Sequence, residues 1–115
     1  SNAVRKVITL LIENDRYDDA VELGRQRKLD PRIMEQCIVA GLRSALAAGK
    51  YDMVVMSASR AYYANKSRYY IMLRARAYFF LGRLKECIDE LDPLRTVDDE
   101  AKQWWSEARV ALKGE

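Results

Sequence analysis

Histidine is absent from the 115 residues. With it go the usual general base, the commonest zinc ligand and every Ser-His-Asp or Cys-His relay. Cysteine is nearly absent too: Cys37 and Cys87 lie far apart, each on an apolar helical stretch, with neither a CxxC nor a second pair to make a metal or redox motif. They read as buried thiols acting as small hydrophobes, which leans the localisation toward a reducing, cytoplasmic compartment. No apolar run approaches the roughly 18 residues that a membrane span needs. Proline occurs only at Pro31 and Pro93, and glycine five times. Gly49-Lys50 is followed by Tyr51 rather than Ser or Thr, with no glycine five residues earlier, so it is not a phosphate loop. The expectation is a chain that is not an enzyme, with no catalytic residues, no metal ligands and no cofactor.

What is present is a helical pattern. Ile71, Ala75, Tyr78 and Leu81 recur at helical spacing, and after a break at Gly82, Leu84, Cys87, Ile88 and Leu91 do so again. Two apolar stripes joined by a one-glycine turn predict an antiparallel helical hairpin over Tyr69 to Leu94. Upstream the same unit recurs. Cys87 follows Gly82 by five, Val54 follows Gly49 by five and Ala20 follows Asp15 by five, which sets steps of 34 and 33 residues between copies. The first-helix stripe recurs as Val4/Ile8/Leu11, Ile38/Leu42/Ala45 and Ile71/Ala75/Tyr78, and once more as Trp104/Ala108/Ala111.

A helix–turn–helix unit at this period, with the turns DRYDDA, GKYDMV and GRLKEC, resembles the tetratricopeptide repeat family over nearly the whole chain. The resemblance implies an all-α, right-handed superhelical stack, an α-solenoid of about three hairpins plus a C-terminal capping helix. Arg74 departs from it, standing where the family usually has leucine. So do Gly24 and Arg27, which replace the aromatic and small residues expected in the second helix of the first repeat.

Punctuation places the boundaries. Ser1, Asn2 and Ala3 resemble the remnant of a cleaved tag, and the native chain is expected to extend beyond the residues given. One domain covers residues 4–113, with repeats at about 4–30, 31–65 and 67–95 and a capping helix at 97–113. Asp30-Pro31 reads as an N-cap followed by proline in the first turn. Ser67 caps the next helix, and Thr96 with Asp99 forms a capping-box variant. Pro93 should stop or kink its helix near Leu91. Trp104 is expected in the core, with Trp105 pointing elsewhere.

A net charge of +3 is too small to imply a nucleic-acid partner by itself. The segment 60–85 concentrates seven cations, Arg60, Lys66, Arg68, Arg74, Arg76, Arg83 and Lys85, among seven aromatics, a composition that would suit RNA. Arg74 and Arg76 point to different sides of one helix, which disfavours a focused nucleic-acid groove. The resemblance instead implies a protein–protein interaction module, a scaffold, adaptor or chaperone-like domain cradling a peptide against the first helix of each repeat. Self-association through exposed aromatics is the alternative of a different class.

Once the first-helix stripe is assigned to the core, the stripe one residue on should lie at the edge of that binding face. It comprises Val39, Arg43 and Leu46, then Met72, Arg76 and Phe79, then Trp105, Arg109 and Leu112. Arg43, Arg76 and Arg109 would form a ladder suited to an acidic peptide, with the apolar flanks supplying most of the affinity.

Overall fold

The computed structural model describes residues 1–114, and every regular element among them is helical. The order is α1 (Asn2–Glu13), α2 (Tyr17–Gln26), α3 (Pro31–Ala47), α4 (Tyr51–Ala64), α5 (Arg68–Phe80), α6 (Leu84–Leu91), a 3₁₀ turn (Asp92–Leu94) and α7 (Asp99–Lys113). The molecule measures 48 × 26 × 21 Å. Helices α1 and α2, α3 and α4, and α5 and α6 pack as consecutive pairs, while α1, α3, α5 and α7 follow one another as neighbours.

The helix boundaries have local causes. Asp30 accepts a hydrogen bond from the Arg32 amide at 2.7 Å, and Ser67 accepts one from the Tyr69 amide at 3.3 Å, so one of the donors left over at each helix start is satisfied. The cap of α7 is Asp98, which accepts from the Ala101 amide at 3.0 Å, and not Thr96 as the capping-box spacing suggests. Asp98 has the extended backbone (φ −144°, ψ 118°) that an N-cap requires. Pro93 acts as expected: α6 ends at Leu91 and the chain tightens into the 3₁₀ turn. At the other end, Asn2 and Ala3 belong to the first turn of α1, and Ser1 is its N-cap.

Four helix C-termini close in the same way, α2 doing so at Lys28 (φ 50°), whose amide bonds to the Arg25 carbonyl while that of Leu29 reaches back to Gly24. Asp15, Gly49 and Gly82 have φ of 61°, 79° and 76°, in the left-handed region. The amide of each bonds to a carbonyl three residues back: Asp15 to Ile12, Gly49 to Leu46 and Gly82 to Phe79. Each following amide reaches five back: Arg16 to Leu11, Lys50 to Ala45 and Arg83 to Tyr78. This paired pattern is the Schellman motif, and glycine adopts it without steric cost at two of the four sites.

Burial follows the period as well. Ile8, Leu42, Ala75 and Ala108, the middle residues of the four expected stripes, are each 0% exposed, as are Ala20, Val54 and Cys87 after the turns. The flanking stripe positions vary. Ile71, Tyr78 and Leu81 are only half-buried, and α5 instead buries Tyr70, Met72, Leu73, Ala75 and Ala77.

Two faces of α5 are therefore covered. Tyr70, Leu73 and Ala77 join a core formed with α1 to α4, whereas Met72 and Ala75 join a second core formed with α6 and α7. A helix apolar on more than one side is a buried helix. Arg74 and Arg76 sit in its seams. Arg74 pairs with Glu90 and donates to Ser59 Oγ at 2.9 Å, which ties α5 to α6 and α4.

Gly41 lets α1 and α3 approach closely. A Cβ built there would lie 2.6 Å from Ile12 Cβ and 2.7 Å from the Thr9 carbonyl oxygen. By contrast, α2 does not lie along α3 in the way that α4 lies along α5 and α6 along α7. The link between α2 and α3 is Met34, whose sulfur would stand 2.8 Å from a Cβ at Gly24.

Both cysteines are buried and unpaired. Burial, with a smaller contribution from Glu90, pushes the Cys87 thiol up to about 11. The unfolded chain would ionise this thiol near 9.0 while the folded chain keeps its proton to about 11. Its effect is therefore nil below pH 9, and stability falls as pH rises from 9 to 11. Tyr70, raised mainly by burial, acts in the same direction above its ordinary 10.0. A urea midpoint lower at pH 11 than at pH 8 is expected, with alkylation of Cys87 by iodoacetamide at pH 8 proceeding only as fast as the chain opens. Rapid alkylation of the native protein at pH 8 would contradict this burial.

Candidate partner-binding groove

The exposed side of the neighbouring helices α3, α5 and α7 carries a groove of about 520 Å³ lined by Arg32, Glu35, Gln36, Val39, Arg43 and Tyr69. It continues past Val39, Arg43 and Tyr69 to Met72, Arg76 and Glu100. Four of the nine residues expected along the binding face therefore come together here: Val39, Arg43, Met72 and Arg76. Their roles differ from the expectation. Val39 is half-buried and Arg43 exposed, whereas Met72, only 6% exposed, is floor and core rather than contact surface.

Leu46 is likewise withdrawn, 4% exposed within the core of α1 to α5. The assignment of Leu46 and Met72 to an accessible edge fails because α5 is covered on both sides and α3 is held tightly by α1. Phe79 packs edge-on against Phe80 and Trp104, with ring centroids 5.5 and 5.3 Å away. Trp105 lies between two cations, Arg95 and Arg109, each 4.7 Å from its ring centre. Its indole nitrogen is buried without a hydrogen-bond partner. Trp104, expected in the core, is half-buried and carries Arg76 over its ring at 5.1 Å.

The three arginines thus do not act alike. Arg76 is stacked on Trp104 and lies 3.8 Å from the Glu100 carboxylate, and Arg109 is stacked on Trp105. Arg43 is exposed and, among the described residues, has no ion-pair or ring partner. A ladder of three equivalent charges is reduced to one free guanidinium beside one that Glu100 offsets.

Tyr69 was not among the expected contacts, yet it lines both parts of the groove and is 46% exposed. It stands one turn before Met72. Extending the stripe by a turn, to Gln36 and Tyr69, would have found both residues.

Most of the cations in segment 60–85 are satisfied within the protein. Arg60 pairs with Asp18, Arg68 with Asp98, Arg74 with Glu90, Arg76 with Glu100 and Arg83 with Glu86. Their aromatic neighbours are also engaged, Arg60 lying over Tyr17, Arg74 over Tyr62 and Arg83 over Tyr78. A cation already holding a carboxylate must give it up before neutralising a phosphate, so this segment offers little of the free charge that nucleic-acid binding uses.

Among the described residues no helix is long and apolar enough to cross a membrane, and no group of three or more Cys, Asp or Glu side chains is placed to hold a metal ion. Comparison with family models, with curated proteins and with solved structures finds no match to this chain.

Proposed function

We propose that this chain is a tetratricopeptide-like module, a right-handed stack of three helical hairpins closed by α7, which binds a peptide or partner segment in the groove along α3 and α5. The observation that carries the reading is the recurrence of one packing unit. Left-handed turns at Asp15, Gly49 and Gly82 are each followed five residues on by a fully buried side chain, with another fully buried residue seven before each turn. Stacked hairpins of this kind leave an extended face free for ligands. Here that face offers an unpaired guanidinium at Arg43, the exposed ring of Tyr69 and the apolar flank of Val39.

Such a face fits a segment with an acidic side chain next to apolar ones. Exposed ion pairs contribute only about 0.2–1 kcal/mol, so Tyr69 and Val39 supply most of the affinity and Arg43 selects the charge. Peptides selected on this chain from a random display library should therefore be enriched in Asp or Glu flanked by apolar residues. Arg43→Glu replaces an attraction by a repulsion and should weaken them about tenfold, and Tyr69→Ala should weaken them at any salt concentration. Neither should lower the melting temperature, because both side chains are exposed. Lys85→Glu, on α6, should have no effect. Selected peptides that bind both groove variants as tightly as wild type would sink the assignment.

The outer side of α4 supports self-association as a second reading. Met56 and Tyr63 lie two turns apart there and are 66% and 84% exposed. Light scattering that finds only monomer at high concentration would remove it.

A further inference from the structure

Because α2 does not lie along α3, the space between them stays open as a cavity of about 440 Å³. Its walls include Val21, Ile38 and Ala61, and its polar groups include Tyr17, Tyr70 and the carboxylate of Glu35. Glu35 is half-buried, and among the described residues no group donates a hydrogen bond to it or forms an ion pair with it. Arg32, on the same rim, is exposed and leaves it unpaired. A cleft that shares Tyr17 and Val21 with the cavity adds Asp18, Glu22 and Arg60, but Asp18 is held by Arg60 and Glu22 by Arg25, which leaves Glu35 as the carboxylate at the opening without a cation.

We infer that this cavity is a side-chain pocket for a lysine or arginine of a partner polypeptide. The aliphatic stem of such a residue would lie along the apolar walls and its charged head would meet Glu35. Long cationic side chains are the ones that combine an apolar stem with a charged tip, and a carboxylate in partly apolar surroundings binds that tip more strongly than one in water does. Tyr17 and Tyr70 remain neutral well beyond pH 7, their ionisation being opposed chiefly by burial, so neither adds a second anion beside Glu35. Glu35 and Arg32 also border the groove, but nothing in this inference depends on Arg43.

The test uses the whole chain, isotopically labelled, with Nα-acetyl-lysine N-methylamide as probe and the norleucine analogue as its uncharged isostere. The lysine probe should shift the amide resonances of Glu35, Asn65 and Tyr70 saturably and bind at least fivefold more tightly than the norleucine analogue. Glu35→Gln should remove that preference. Ala64→Phe, at an exposed position on the mouth, should block both probes while leaving the circular dichroism spectrum unchanged. Arg43→Glu should leave probe binding as it is. Equal binding of the two probes, no saturable shift, or a loss of binding in Arg43→Glu would each overturn the assignment.

Discussion

Gly41→Val is expected to destabilise the protein by about 3–6 kcal/mol and lower its melting temperature by roughly 15 °C or more. The new side chain would meet Ile12 Cβ at 2.6 Å and the Thr9 carbonyl oxygen at 2.7 Å. Turning the Ile12 side chain relieves neither contact, because one involves its Cβ and the other is backbone, so α1 must move away from α3. That movement uncovers Ile8 and Ile12, both 0% exposed, and each is worth about 1.5–3 kcal/mol of burial. Helix propensity pulls the other way, since glycine inside a helix costs about 1 kcal/mol relative to alanine. Glycine at this position is what the close approach requires. Gly24→Ala is the contrasting case. It meets only the sulfur of Met34 at 2.8 Å, at the flexible end of a side chain, and should be nearly neutral. A Gly41→Val protein that melts as wild type would mean that α1 and α3 do not meet in this way.

Leu91→Ala should cost about 2–5 kcal/mol, with its effect concentrated at one end of the molecule. The core shared by α5, α6 and α7 consists largely of small residues, Ala75, Cys87, Ala101 and Ala108, so its large buried side chains are Met72, Leu84 and Leu91. Removing one of three leaves a hole that helices already at close approach cannot fill by moving nearer. Hydrogen exchange should speed up throughout α6 and α7 while amides of α1, α3 and α4 keep much of their protection, because those helices belong to a separate core that shares only α5 with this one. Uniform loss of protection along the chain would show that the two cores open together.

Much of the helical frame was legible before any coordinates. Gly49, Gly82 and the Asp30-Pro31 pair mark breaks that backbone sterics alone impose. Ile8, Leu42, Ala75 and Ala108 follow from a period that any stacked arrangement must bury. The cap of α7 was misplaced because Thr96 and Asp98 both have side chains able to cap, and only the extended backbone at Asp98 decides between them.

The candidate site was half legible for a different reason. A stripe states which residues share a face of one helix but not how many faces its neighbours cover. Met72 and Leu46 were therefore placed at an edge that the structure closes. The pairing of Arg76 with Glu100 joins helices distant in sequence, and the stacking of Arg109 on Trp105 depends on a side-chain rotamer, so repetition of arginine at a fixed interval did not translate into equivalent charges.

The double burial of α5 gives the molecule an order in time. A polypeptide emerging from its N-terminus presents α1 to α4 first, with Ile38 and Ala61 still lacking the cover that Tyr70, Leu73 and Ala77 provide. Arrival of α5 completes that first core and, through Met72 and Ala75 on its other side, supplies the template on which α6 and α7 condense. Structure would therefore grow along the chain during synthesis, with α5 as the latch that closes one half and starts the next.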